Sequence, residues 1–279
     1  MTQRGAVFLG PTVVQIDLPG PNEEVLPDLP WGAIDAFPTP AYWAYQVIAR
    51  RIGGWPIRCR LGYSLREEVA ACLLGGHGIP ARVGLAAFQR LKARGCLEGR
   101  PTEAGLLAQL SEPLLVDGRA VRYRFAHQKA KYLSAALQRL TDASPPTDSG
   151  RGLRDWLIGL PGVGPKTASW ITRNWLDADD VAILDIHVLR AGALGGFFEA
   201  GLTVERHYLQ LEAQFLRFAR AIGVRPSELD AVIWSEMMSS PATVRRLSGG
   251  RLPAVSAPSG SRRRAHVGGA HADQARLIE

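Results

Sequence analysis

Lysine is scarce in this chain: all but four of its 33 basic residues are arginine, and the four are Lys92, Lys129, Lys131 and Lys166. Arginine serves surface charge equally well but stays protonated, whereas a desolvated lysine can act as an amine nucleophile, so each lysine is a candidate for chemistry. Cysteine is scarcer still, and the wide, unequal spacing of Cys59, Cys72 and Cys96 suits neither a disulfide framework nor a tetrahedral metal site. A reduced compartment follows. No cysteine lies beyond Cys96, so the remainder has no ligands for a four-thiolate iron–sulfur cluster. No metal site and no resident cofactor are expected. No apolar run approaches the roughly 18 to 20 residues that cross a bilayer, and Met1 to Gly10 lacks the basic start and apolar stretch of a signal peptide, so no membrane partner and a cytoplasmic location are expected. Alternating strand patterns are nearly missing after residue 60, and no period of about 20 to 50 residues repeats.

What is present describes an ordinary globular protein: 279 residues, 46% hydrophobic and 21% charged, enough to bury a substantial core. The formal charge of +7 favours a polyanionic partner, yet residues 247–279 hold five arginines against two acids, so much of the excess sits there. That stretch of Ser, Gly, Pro, Ala and Arg reads as a flexible basic tail, either adding affinity for phosphates or without a role. Residues 1–60, rich in Pro and Gly, read as an N-terminal segment packing on the core, with a β-like stretch over Thr12 to Leu18 and a helix over Ala41 to Arg51. Residues 61–246 form the main domain. It opens with the capping-box spacing Ser64-Leu65-Arg66-Glu67, and Val69, Cys72 and Leu73 predict a helix buried on one face. Helical spacing follows over 81–93, 102–109, 127–140, 151–159, 165–175, 185–193, 204–222 and 227–238. The last-but-one carries a stripe of Tyr208, Leu211, Phe215, Phe218 and Ile222. The expected class is all-α with a short irregular or β N-terminal segment.

The chemistry concentrates in Leu157-Ile158-Gly159-Leu160-Pro161-Gly162-Val163-Gly164-Pro165-Lys166-Thr167-Ala168. A helix meets a glycine-rich turn, and a second helix starts with Pro165 at its first position, where the missing N–H costs nothing. Gly162 and Gly164 allow a sharp turn and close approach of a partner, and the amides of the new helix around Thr167 suit one phosphate. A tight interhelical turn without function is the bland alternative. Lys166 stands two residues past the turn, and Asp185 follows nineteen residues later in Ala182-Ile183-Leu184-Asp185-Ile186-His187.

This hairpin, the following lysine and the Asp-x-His string resemble the helix-hairpin-helix DNA glycosylases, and within that superfamily the 8-oxoguanine DNA glycosylases, over about residues 64–240. The resemblance implies a two-lobed helix-hairpin-helix glycosylase fold, double-stranded DNA as partner, a monomer, and a nucleoid-associated location. It also implies that Lys166 attacks the sugar anomeric carbon, that Asp185 stabilises positive charge there, and that His187 contacts a phosphate. A monovalent cation held by hairpin carbonyls is compatible with it. Lys166 must be neutral to attack, which partial desolvation and the positive end of its own helix would favour. Asp185 also stands where an N-cap is expected, and both roles can coexist. For Lys166 the alternative is a phosphate contact at a helix start.

A glycosylase extrudes its target base into a pocket. Trp170 lies four residues after Lys166 and Trp234 four after Asp230, so each pair shares a helical face. By resemblance the two tryptophans sandwich the purine and Asp230 accepts from its Watson–Crick edge. Guanine and 8-oxoguanine present two donors there, which a carboxylate accepts together. The family carries an amide at this position in some branches. The resemblance also points to His77, in the turn after the first helix, as the wedge filling the vacated space, and to Gln128 and Lys129 as contacts to the estranged base or nearby phosphates. The competing readings are core tryptophans, a helix-dipole aspartate, a loop histidine and a solvated helix terminus. The expected function is a bifunctional DNA glycosylase/AP lyase for 8-oxoguanine. Its rivals are a glycosylase for another damaged or modified base and a non-catalytic helix-hairpin-helix DNA-binding protein.

Overall fold

A computed structural model of the chain describes residues 1–55, 60–76 and 78–248. Its described part divides into two compact units, one formed by 1–55 with 179–248 and the other by 60–178. The units do not follow the linear division into an N-terminal segment and a main domain, because the first 55 residues share a unit with the last helices.

In the first unit, β1 (Gln3–Leu9) and β2 (Thr12–Leu18) pair antiparallel with Leu9 opposite Thr12 and Gln3 opposite Leu18. Gly10 and Pro11 make the two-residue turn, with Gly10 at φ 58°, as a glycine-first hairpin turn requires. The short pair β3 (Glu24–Leu26) and β4 (Leu29–Pro30) leads to α1 (Pro40–Ile52), whose start is fixed by the Thr39 hydroxyl accepting from Tyr42 N–H and by Pro40 in the first turn. Four later helices complete the unit: α8 (Ile186–Gly195), α9 (Val204–Ala221), α10 (Pro226–Ser239) and α11 (Pro241–Ser248). The stripe on α9 is buried as its spacing predicts, and with Trp43 of α1 and Leu229, Val232 and Ile233 of α10 it forms one apolar core. Polar ties bind α1 to α10: Tyr42 Oη donates to Glu236 at 2.9 Å, Arg51 Nε to Glu228 at 3.0 Å, and Arg50 also pairs with Glu236. The N-terminal segment is thus part of this core.

The second unit holds α2 (Leu65–Leu74), α3 (Ala81–Ala93), α4 (Glu103–Ser111), β5 (Leu114–Val116), β6 (Arg119–Val121), α5 (Ala126–Asp142), α6 (Gly150–Ile158) and α7 (Pro165–Leu176). Its separate core is built on α2, and Leu133 and Leu137 of α5, both at 0% exposure, each contribute about 2 kcal/mol by burial. Ser64 caps α2 as expected, but the single buried face does not hold: every residue from Glu68 to Leu74 is buried, because α3, α5 and α7 all pack on this helix. Glu68 survives there at 0% exposure by accepting from the amides of Leu61 and Gly62 (2.7 and 2.8 Å) and from Asn174 Nδ2 (2.8 Å). The β5–β6 hairpin was not expected. Its Asp117-Gly118 turn, with φ 50° and 73°, is a type I′ signal flanked by too few alternating residues to register as strands. The helix over Pro241–Ser248 was also not expected. Among the described residues no helix is long and apolar enough to cross a membrane.

Candidate active site

The end of α6 and the start of α7 are joined by the predicted hairpin. Val163 N–H closes a turn on Leu160 O at 3.1 Å, with Pro161 and then Gly162 at its centre. Gly162 has φ 79°, the value a type II turn demands at that position. A methyl group on Gly162 would fall 2.2 Å from the Tyr132 ring, so this glycine is required by packing inside the unit. Gly164 differs: its φ is −91°, and nothing lies within 4 Å of the place a Cβ would occupy. Gly164 therefore has open space on the side where Gly162 meets a ring.

Gly164 is also the N-cap of α7, and it has no side chain to accept the amides of the first turn. Pro165 brings no N–H, and helical bonding starts with Ala168 N–H on Gly164 O at 2.9 Å. The amides of Lys166 and Thr167 thus lie at the positive end of the helix beside an open glycine. The partial desolvation expected of Lys166 is not provided by the free chain, in which this residue is exposed; Thr167 is half-buried. One turn on, Trp170 is half-buried against the unit's core, its Cη2 atom 3.9 Å from where a Cβ on Gly75 would stand.

That contact leads to the end of α2. Lys129 Nζ donates to Leu73 O and Gly75 O at 2.6 and 3.1 Å, and Tyr123 Oη donates to Leu74 O at 2.7 Å. Side chains from outside the helix thus donate to the carbonyls at its end. Burial pushes the Lys129 ammonium below the usual lysine range, and in the free chain this residue serves the interior rather than the surface. Gln128 is exposed and donates to Tyr132 Oη at 3.2 Å, on the same ring that covers Gly162. His77 lies outside the described residues.

Asp185 belongs to the other unit, at the N-cap of α8. Its Oδ1 accepts from His187 N–H at 2.8 Å and Val188 N–H at 3.1 Å, so the capping role is realised. His187 is half-buried in the first turn. The approach to Asp185 is fixed by buried side chains, of which the sequence reading missed Glu212 and the bonds that Tyr208 and Asp230 make here. Glu212 Oε1 accepts from Ala182 N–H at 3.0 Å, Tyr208 Oη donates to Ala182 O at 2.7 Å, and the same hydroxyl accepts from Leu184 N–H at 3.2 Å. Asp230 Oδ2 accepts from Ile183 N–H at 3.2 Å, and Asp230 is only 3% exposed. Through this bond it helps to hold the backbone before Asp185. A signal for Glu212 existed: a carboxylate beside Leu211, on the apolar side of α9, has to find a buried partner. Trp234, one turn after Asp230, is half-buried, and it is the one tryptophan among the described residues that belongs to neither apolar core.

Among the described residues no three His, Cys, Asp or Glu side chains gather as a metal site. A monovalent cation would need the hairpin carbonyls, of which Leu160 O and Gly164 O already accept the amides of Val163 and Ala168.

A helix–hairpin–helix with a lysine in the first turn of its second helix, followed by an aspartate capping the next, defines the helix-hairpin-helix DNA glycosylase class. A family model described as 8-oxoguanine DNA glycosylase matches residues 63–224. Over 176 residues, 61% of this chain and 78% of the relative, the sequence is 31% identical to the 8-oxoguanine DNA glycosylase/AP lyase of Thermoplasma volcanium. The solved 8-oxoguanine DNA glycosylase of Methanocaldococcus jannaschii is similar in fold, with TM-score 0.54 and 20% identity over 72% of this chain and 94% of that one. The same enzyme in complex with a 15mer DNA containing 8-oxoguanine gives TM-score 0.54 and 20% identity, over 71% of this chain and 98% of that one. The chain belongs to the 8-oxoguanine DNA glycosylase family.

Proposed function

We propose that this protein removes 8-oxoguanine from double-stranded DNA and then cleaves the strand at the resulting sugar, acting as a DNA glycosylase with AP lyase activity. It works as a monomer in the cytoplasm, on the nucleoid. The observation that carries the reading is an exposed lysine in the uncapped first turn of α7, immediately after an open glycine at which a DNA backbone can approach.

The chemistry assigned to these residues balances without an added oxidant, reductant or metal. The neutral Lys166 amine bonds to C1′ as the glycosidic bond breaks, and the departing base takes the electron pair and a proton. Asp185 offsets the positive charge that develops on the sugar. Opening of the sugar ring gives a Schiff base, and loss of a proton from C2′ then expels the 3′ phosphate. Burial of Lys166 against DNA supplies the desolvation that the free chain lacks. Trp170 and Trp234 are assigned to the faces of the extruded purine, with Asp230 near its edge. Thr167, Gly162, Gly164 and His187 are assigned to phosphates, and His77, Gln128 and Lys129 to the vacated site.

Borohydride trapping on a duplex containing 8-oxoguanine tests this directly, since only a Schiff base is reduced in place. A covalent adduct with the unaltered chain, absent in Lys166→Gln with DNA binding retained, is the expected result. Excision of an alkylated or deaminated base in place of 8-oxoguanine would overturn the substrate, and an undiminished adduct in Lys166→Gln would move the nucleophile elsewhere.

A further inference from the structure

Between Gly118 and Thr141 the chain carries six Lys or Arg residues and no Asp or Glu. The structure divides these cations by task. Lys129 is turned inward onto the carbonyls of α2, whereas Arg119, Arg122, Arg124 and Lys131 are exposed. Three other exposed arginines of this unit have acids: Arg82 meets Asp117, Arg94 meets Glu112 and Arg100 meets Asp142. Arg119, Arg122 and Arg124 have no such partner among the described residues. Along β6 and its continuation, Val121 is half-buried and Tyr123 buried, so Ala120, Arg122 and Arg124 stand on the outer side, with the exposed Leu115 opposite Ala120.

Two further observations fix where this face lies. Phe125, next in the chain, has φ 65°, a left-handed backbone that L residues rarely adopt, and it is 42% exposed. The Arg124 guanidinium lies 4.8 Å from its ring centroid, which restrains the arginine, and no acid among the described residues pairs with it. A Cβ on Gly78 would stand 3.5 Å from Phe125 Cε2 and 3.8 Å from Arg124 Nη1. The basic face therefore borders Gly78, in the turn where the sequence places the wedge.

We infer that the segment joining β6 to α5, residues 122–125, is a DNA-tracking arm, in which Arg122 and Arg124 hold phosphates of the duplex flanking the extruded nucleotide. The inference rests on the reading that the chain acts on duplex DNA. Charge complementarity selects the occupant: a row of arginines lacking acids matches a phosphodiester backbone, and the aromatic beside them limits the motion of one. Such contacts position the duplex and carry no base specificity.

The test is equilibrium binding of the full chain to a labelled duplex bearing a tetrahydrofuran abasic analogue, which offers no base to excise, between about 50 and 200 mM KCl. Each phosphate contact contributes about 0.9 to the slope of log K against log salt, so the Arg122→Ala/Arg124→Ala variant should lower that slope by about 1.8. Binding to a lesion-free duplex should show the same change of slope, and single-turnover excision at saturating protein should stay within about twofold. Arg122→Lys/Arg124→Lys should restore the slope. An unchanged slope in a variant with unaltered circular dichroism overturns the arm and leaves the glycosylase reading standing. Absence of salt-dependent binding by the unaltered chain overturns both.

Discussion

The hairpin region and the segment before α8 present their reactive residues in opposite ways. Lys166 is exposed, on a helix start with no side-chain cap, beside a glycine with open space around it. Asp185 is half-buried, caps its own helix, and follows three residues whose amides are all taken by buried side chains of α9 and α10. Side-chain length explains the difference. A lysine reaches over four methylenes, so the protein has only to set where the helix begins, and the turn glycines do that. A carboxylate on one methylene cannot search for its target, so the backbone beneath it has to be rigid.

The comparison is broken most severely by losing the amine. Lys166→Gln should lower single-turnover excision by at least about 10³-fold while leaving thermal stability within about 0.5 kcal/mol, because an exposed side chain contributes little to folding. Asp185 separates into its two roles by choice of substitution. Asp185→Asn keeps a good N-cap and should preserve stability, while Asp185→Ala costs about 1 kcal/mol; both should slow excision by about 10²-fold. Retention of the full rate in Asp185→Asn, measured by single-turnover kinetics, would leave Asp185 a capping residue and nothing more.

The two hairpin glycines sharpen the contrast further. Gly164→Ala meets open space at an ordinary φ, so it should leave stability within about 0.5 kcal/mol yet weaken DNA binding by about tenfold, measured by anisotropy. Gly162→Ala faces a left-handed φ and the Tyr132 ring, and should destabilise the protein by about 2 to 4 kcal/mol in urea titration. Equal effects at the two positions would show that the turn distributes its load differently from its geometry.

Much of the fold was legible in the sequence because helices announce themselves by caps and period. The segments over 81–93 and 165–175, and the stripe on α9, depend on local spacing alone, and the structure has them in place. What was not legible depends on who packs against whom. Nothing in Val69, Cys72 and Leu73 tells that α2 is surrounded on all sides. Lys129 reads as a surface cation until Leu73 O and Gly75 O are seen to accept from it. The same holds at the site. The hairpin and Asp185 are local motifs and could be read, whereas the grip of Tyr208, Glu212 and Asp230 on residues 182–184 joins positions up to 47 apart in the chain. Asp230 illustrates the limit: its spacing from Trp234 suggested a base contact, and that spacing says nothing of the Ile183 amide it also holds.

Tyr208 offers the finest test of the rigid half of the comparison. Its hydroxyl both donates to Ala182 O and accepts from Leu184 N–H, so Tyr208→Phe removes two hydrogen bonds and leaves two buried backbone groups without that partner. Stability should fall by about 1 to 3 kcal/mol. If the frame exists to place Asp185, the catalytic rate constant at saturating protein should also drop, by about threefold, while the concentration for half-saturation stays fixed, because orientation acts on the reacting geometry and not on DNA affinity. The flexible partner predicts the opposite asymmetry, since Lys166 is carried by a different helix start and its adduct with an abasic-site duplex should still form at the unaltered chain's yield. A stability loss with no change in rate would mean that residues 182–184 are braced for folding alone, and that the one-carbon stem of Asp185 tolerates more motion than its surroundings imply.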